Sequence, residues 1–477
     1  MRNSIAGLVG LCLWSLLSKD VYSEGAESGF KANELLRAVS SALSPYGENA
    51  SFSLRRMNGD ELVSIRSAQL FSPASVAKLV SSACTLEELG PDFRFETEWA
   101  YRGSLSAEGK LQGDLVLRGS GDFSFVIEDL KMASEKLRHV FGIKEITGKL
   151  VFDVSYLGRP SLQIFEGFEG DLGRAFSAPA TAAPINHNAF SVWIYPQEPR
   201  PRVSVIPHQA IELEVTNRLT MINGRLNGSR TRLDYRPTEA KLILSGQIGR
   251  SDQVRAYYRS LVNPYESFAR LLKYNLELLG VQWNGEFAFS NSRVNATSLW
   301  THRSTDISRL LVDINKLSTN FGSEMALLAA GANRFGLPAS LEKSQRLLSA
   351  CLSSWSLKDE DFRLENASGL SRSSRVKTSS MTSFLSRMGE RDYFPEFLST
   401  LAILGLDGTT RTRLPQHSFK GRLKTGSLAN VRSIAGYLEH PTEGRLAMAL
   451  FLNCTSCDLA RWSRIEDQII SRILQSR

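Results

Sequence analysis

The stretch Ser72-Pro-Ala-Ser75-Val-Ala-Lys78-Leu-Val-Ser-Ser-Ala-Cys84-Thr-Leu86 decides the fold. A proline followed by an apolar run predicts a buried helix through Ser75, Lys78, Leu79, Cys84 and Leu86, ending near Gly90-Pro91. Within it, i, i+3 spacing puts Ser75 and Lys78 on one face. Serine hydrolysis requires a nucleophile, a base within hydrogen-bond reach and donors for the oxyanion. Ser-x-x-Lys can supply the first two, but Ser28, Ser340 and Ser374 also stand three residues before a lysine. Ser75 differs in having a proline lead-in, an apolar helix and companions downstream. Ser318-Thr319-Asn320 is the one Ser-x-Asn of the chain, and Lys424-Thr425-Gly426 is the one Lys-Thr-Gly. The three occur in that order, the last on a predicted strand that begins at Leu423. No complete Gly-x-Ser-x-Gly occurs, so a histidine-dependent nucleophile elbow has no support.

Outward from these motifs, Ala32–Leu43 has helical spacing. Residues 51–57 and 61–65 alternate in polarity and flank Asn58-Gly59-Asp60, a strong hairpin signal because Asn and Gly tolerate positive φ. At the other end, residues 431–438 and 446–452 read as strands and 459–474 as an amphipathic helix. The two ends can combine into one antiparallel sheet covered by helices, with the chain between them inserted. The roughly 200 residues from Phe95 to Thr297 are too many for a loop. Strand-like runs at 113–118 and 149–153 and a helix at 265–279 predict mostly β insertions, expected to fold as a unit separable from the chemistry. The expected division is residues 1–23 as an export signal, 24–94 with 298–477 as the hydrolase domain, 95–187 with 264–297 as an inserted domain, and 188–263 as a second domain nested within it.

The export signal rests on Arg2, the apolar run from Ile5 to Leu17 and a small residue, Ser23, at the cleavage point. Such a run is too short to span a bilayer comfortably. Composition is globular over 477 residues, with 42% hydrophobic and 22% charged. The 57 basic and 49 acidic residues leave a formal +8, suited to an anionic wall or membrane face. No arginine-rich arm, aromatic-interleaved basic run or zinc-finger spacing points to nucleic acid. Cys454-Thr-Ser-Cys457 lacks the second pair or histidines of a zinc site and reads as a buried pair or a local disulfide. The six histidines are scattered. No metal and no cofactor are expected.

These motifs together resemble the low-molecular-mass class C penicillin-binding proteins, the D-alanyl-D-alanine carboxypeptidase/endopeptidase family. The likeness extends to Leu89-Gly-Pro-Asp-Phe-Arg94, Gly113-Asp-Leu-Val-Leu, Gly119-Ser-Gly-Asp122, Ile314-Asn-Lys-Leu-Ser-Thr-Asn320, Ser368-Gly-Leu-Ser-Arg372, Leu406-Asp-Gly-Thr409 and Lys424-Thr-Gly-Ser427. Thr319 stands where the family usually has Asp, and Asn366-Ala367 where it has Asp-Gly. The resemblance implies an α/β multidomain protein: a penicillin-binding/β-lactamase-like transpeptidase domain, its antiparallel sheet covered by helices, plus inserted mostly-β domains. It implies that Ser75 attacks the carbonyl of the penultimate D-alanine and that a neutral Lys78 takes its proton. Burial and the charge of Lys424 would both lower the Lys78 pKa. Ser318 would sit between the two lysines and relay the proton to the leaving amine, while Asn320 holds the substrate backbone. Lys424, Thr425 and Ser427, with Gly426 between them, would bind the substrate carboxylate. The amides of Ser75 and Ser427 would form the oxyanion hole.

Implied partners are peptidoglycan stem peptides and β-lactams, with peripheral contact to membrane or wall. The implied location is the periplasm or another extracytoplasmic face of a bacterial cell. Blander readings exist for single residues. Ser75 alone could be a helix N-cap and Lys424 an edge-strand guard against aggregation. Ser368 to Ser371 read as an ordinary turn, and Asp122 and Asp407 as turn-forming acids. Two rivals remain for the whole chain. A β-lactamase shares the motifs but is usually much shorter; an idle wall-binding protein would have no reason to keep all three.

Overall fold

The computed structural model describes residues 31–164, 173–226 and 230–476. The expected export signal, Cys12 and Ser28 lie outside the described residues. Both ends of the described chain build one six-stranded antiparallel sheet. Its order is Glu61–Ile65, Ala50–Arg56, Gly444–Asn453, Val431–His440, Gly421–Leu428 and Ala402–Ile403. The Asn58-Gly59-Asp60 hairpin forms as expected, with Gly59 at φ 101°.

Period-2 alternation sends each central strand's side chains into two cores. Along Gly444–Asn453, residues Leu446, Met448, Leu450 and Leu452 pack beneath the terminal helices Ala32–Leu43 and Leu459–Gln475. Ala447, Ala449 and Phe451 face the other way, into the core of the internal helices. There the Ser75 segment lies against helix Asn320–Phe335, whose run Phe321 to Ala332 is buried. Helix Thr378–Met388 packs on this side of the strand Gly444–Asn453, where the small Ala447 and Ala449 leave it room.

The inserted chain forms a second sheet, ordered Phe287–Ser290, Leu150–Asp153, Lys110–Gly119, Glu96–Leu105 and Thr297–Arg303, with Glu145–Ile146 beside Lys110–Gly119. Helices Ile127–Glu135 and Pro264–Leu278 cover it. Pairing of Thr297–Arg303 with Glu96–Leu105 carries this sheet past the 297/298 boundary expected from sequence. Two three-stranded sheets between 189 and 260 enclose a separate small core around Phe190, Leu219, Tyr235 and Leu244. The insertion is less separable than expected. Phe123, Tyr156, Leu157 and Ala180 belong to the helical core beside the Ser75 segment, and Ala339 donates its amide to the Tyr156 carbonyl at 2.7 Å. Excising 95–297 would open that core.

Two disulfides are present, Cys84–Cys351 and Cys454–Cys457. The first spans 267 residues of sequence and ties the helix that follows Ser75 to helix Leu341–Ser354. A cross-link over so long a loop acts mainly by restricting the unfolded chain. Replacing both cysteines by alanine is expected to remove about 2–4 kcal/mol of stability. Denaturant unfolding with and without reductant checks this: the wild-type midpoint should fall on reduction and the variant's should move much less.

Candidate active site

The turn that carries Ser75 is built differently from a simple helix start. Ala74–Val76 is a short 3₁₀ turn with Ala74 at φ 45°, and the α-helix begins only at Ala77. A non-glycine residue at positive φ is strained and persists only where its surroundings hold it. Here Ser433 Oγ donates to the Pro73 carbonyl at 2.6 Å. The Asn453 side chain clamps Ser72 from both sides, accepting from its amide at 2.6 Å and donating to its carbonyl at 3.2 Å. Gly426 lies so close that a Cβ there would sit 2.9 Å from the Ser75 amide nitrogen and 2.2 Å from Ser433 Oγ. Glycine is therefore needed at 426 for the motif strand to touch the turn.

Lys78 is fully buried, with Nζ 2.9 Å from Ser75 Oγ, 2.7 Å from Asn320 Oδ1 and 2.8 Å from the Ser368 carbonyl. Burial first, then the charge of Lys424, hold its pKa well below the ordinary lysine value, while Glu324 opposes them. A neutral amine has two protons and one lone pair. Asn320 Oδ1 and the Ser368 carbonyl can only accept, so they take the two protons, and the lone pair faces the one partner with a proton to give, Ser75.

Ser318 sits at φ 63° in the short link between helices Ile307–Lys316 and Asn320–Phe335. The link is anchored by Asn315, whose Nδ2 reaches Ser82 at 3.1 Å and Thr400 at 2.9 Å. A second anchor is the 2.7 Å pair between Lys316 and Asp407. Ser318 Oγ accepts from Lys424 Nζ at 2.9 Å, while Asn320 takes the position beside Lys78. Each residue of the Ser-x-Asn motif thus engages one lysine, where sequence reasoning had Ser318 between both.

Lys424 is also fully buried, and burial lowers its pKa to about 7. It points to the helical side of Gly421–Leu428, opposite Ala435 in register. Thr425 Oγ1 donates to Thr409 Oγ1 at 2.7 Å, and Ser427 is exposed. All eight residues expected from sequence therefore lie on three adjoining segments. Beside Ser318 and Asn320 opens a groove of about 490 Å³, whose far wall is the insertion's Phe176, His187, Phe190 and Tyr258.

The other sequence readings divide. Asp407 accepts the Ile403 amide at 2.7 Å and pairs with Lys316, a structural acid. Asp122 accepts from the Ser124 amide and hydroxyl, closing a turn. The Ser368 loop is more than an ordinary turn, because its carbonyl binds Lys78 and Gly369, at φ 70°, approaches the Ala74 carbonyl where no Cβ would fit. Sequence reasoning missed Glu324, buried one helical turn after Asn320. A lone carboxylate inside the apolar run from 321 to 332 was the signal that could have found it. Among the described residues, no cluster of His, Cys, Asp or Glu is arranged to hold a metal.

The sequence profile of the D-Ala-D-Ala carboxypeptidase 3 (S13) family matches residues 41–474. This chain belongs to that family. Its enzyme class is accordingly a serine-type peptidase, with a penicillin-binding fold. Among S13 relatives, it is 24% identical over 416 residues to the D-alanyl-D-alanine carboxypeptidase DacB of Haemophilus influenzae, covering 86% of each chain. It is 26% identical over 415 residues to the D-alanyl-D-alanine carboxypeptidase of an Actinomadura species, covering 83% of this chain and 76% of the other. Penicillin binding protein 4 of Haemophilus influenzae superposes with a TM-score of 0.78 at 23% identity, over 91% of this chain and 99% of the other. The same protein has been solved with a β-lactam and matches with a TM-score of 0.74.

Proposed function

We propose that this S13 peptidase hydrolyses D-alanyl peptide bonds of peptidoglycan stem peptides through an acyl-enzyme on Ser75. The observation that carries the proposal is the Lys78 environment, where two acceptors leave the amine's lone pair to the Ser75 hydroxyl. Ser75 Oγ attacks the carbonyl as its proton passes to Lys78. Negative charge developing on the carbonyl oxygen meets the amides of Ser75 and Ser427. The C–N bond then breaks as the proton that Lys78 took from Ser75 is relayed through the Ser318 hydroxyl to the leaving amine, so that Lys78 is neutral again. Water, deprotonated by Lys78, opens the ester and restores the hydroxyl. Asn320, with Oδ1 on Lys78, keeps Nδ2 for a substrate carbonyl. The groove between the Ser-x-Asn loop and the insertion offers room for the rest of the stem peptide.

Carboxypeptidase and endopeptidase cleavage both release an amine on a D-centre bearing a free carboxylate, so one anion pocket serves both. We assign it to Lys424, Thr425 and Ser427. A carboxylate docked on Lys424 favours the charged form of an amine that burial otherwise holds near pH 7. Such a charge-assisted contact contributes roughly 1.5–3 kcal/mol, or about 10- to 150-fold. Amidating the substrate carboxylate should lower kcat/KM by about that factor, and Lys424→Ala should lose most of the discrimination. Measuring both peptides on both enzymes closes a double-mutant cycle. Independent effects would mean that the carboxylate is read elsewhere. Mass spectrometry of pentapeptide and cross-linked muropeptide digests then apportions the two activities.

We propose that the protein works outside the cytoplasm, in the periplasm or facing the wall. Two disulfides suit an oxidising compartment. β-Lactams, which mimic the D-alanyl-D-alanine backbone, are the expected covalent inhibitors.

A further inference from the structure

Glu324 is nearly inaccessible, 3% exposed, and has no role in the steps above. Its two oxygens each accept a backbone amide, Oε1 from Ser368 at 2.9 Å and Oε2 from Ala367 at 3.2 Å. Both amides belong to the loop whose Ser368 carbonyl accepts a proton of Lys78 at 2.8 Å. The chain Glu324–Ser368–Lys78 thus runs from a carboxylate through the backbone of a single residue to the amine beside Ser75. The same helix presents Asn320 to Lys78 one turn earlier, so a single rigid element supplies one acceptor directly and orients the other.

We infer that Glu324 is a further positioning residue, whose buried carboxylate holds the Ser368 carbonyl on Lys78 and biases that amine electrostatically. This rests on the Ser75–Lys78 reading above. Acceptance of an amide by each oxygen favours the ionised form against the burial that raises the Glu324 pKa. Around Lys78 the groups from neighbouring elements are Ser75, Asn320 and the Ser368 carbonyl, all uncharged, and the ionisable Lys424 and Glu324, whose charged forms act in opposite directions. Lys424 drives the amine toward neutrality; Glu324 offsets part of this, leaving Lys78 a stronger base than burial and Lys424 together would allow.

Glu324→Gln keeps the shape, removes the charge and turns an NH₂ group toward one of the two amides. Penicillin acylation, followed by rapid quench from pH 5 to 10, tests the inference. The second-order rate should fall on the order of 10-fold, because a buried amide loses its acceptor and the carbonyl on Lys78 loosens. The limb on which acylation rises with pH should move to lower pH, because the charge that raised the Lys78 pKa is gone. A purely structural role would reduce the rate and leave the limb in place, and that outcome overturns the inference, as does wild-type behaviour. If the Gln variant does not fold, Glu324→Asp carries the test. It retains the charge but falls one methylene short, so the rate should drop while the limb stays near its wild-type position; an unchanged rate would overturn the proposal. Wild-type protein that forms no adduct on Ser75 would instead sink the underlying reading, and this inference with it.

Discussion

Incubation with a penicillin is expected to leave one covalent ester, on Ser75, and the Ser75→Ala variant should carry none. A β-lactam presents a strained amide in the position of the D-alanyl-D-alanine bond, and its leaving group remains tethered after ring opening. The ester therefore accumulates where a departing D-alanine would have diffused away. Peptide mapping by mass spectrometry locates it. Of the other Ser-x-x-Lys sites, Ser340 is the N-cap of helix Leu341–Ser354, accepting the Lys343 amide. Ser374 is buried and accepts the Glu365 amide. Neither presents its hydroxyl to a lysine amine as Ser75 does. On a D-alanyl-D-alanine peptide, Ser75→Ala should lose on the order of 10⁴-fold or more in kcat, the scale on which nucleophile removal acts. An adduct on another serine would sink the assignment. Persistence of the ester also separates this reading from a β-lactamase, which would hydrolyse a chromogenic cephalosporin at steady state.

Lys78→Arg is the second large effect. A guanidinium does not deprotonate in proteins, so it cannot accept the Ser75 proton. Acylation should fall on the order of 10²-fold or more. With Lys78 as the proposed base, the active form of the wild type is the unprotonated amine. The rate should therefore rise as pH passes upward through the Lys78 pKa, and the limb should lie well below the roughly 10.4 of a free lysine. Both causes are visible: burial of the amine and the facing charge of Lys424. A variant that acylates normally, or a limb near the free value, would remove Lys78 from the role of base.

Much of this protein was legible in its sequence because the information is local. Helix Ala32–Leu43, the Asn58-Gly59-Asp60 hairpin and the alternating strands near the C-terminus follow from periodicities of 3.6 and 2, which need no knowledge of distant residues. The motif order placed Ser75, Ser318, Asn320 and Lys424 as candidates for the same reason that a short motif can be read at all: its residues are consecutive or one turn apart.

What the tertiary structure decided is pairing across hundreds of positions. The Lys78 amine meets Asn320 across 242 residues and Ser368 across 290, and Cys84 meets Cys351 across 267. Local periodicity carries no term for such distances. Nor could it show that Ala74 takes a positive φ, because that strain is sustained by Ser433, Asn453 and the close approach of Gly426, all from far-off strands. The sequence by itself determined which residue types could do acyl transfer, and in what order they occur. The fold determined which lysine faces Ser75, which acceptors surround its amine, and that a buried glutamate stands behind them. The depressed lysine pKa values that make this chemistry workable exist only where the folded chain removes water and sets Lys424 against Lys78.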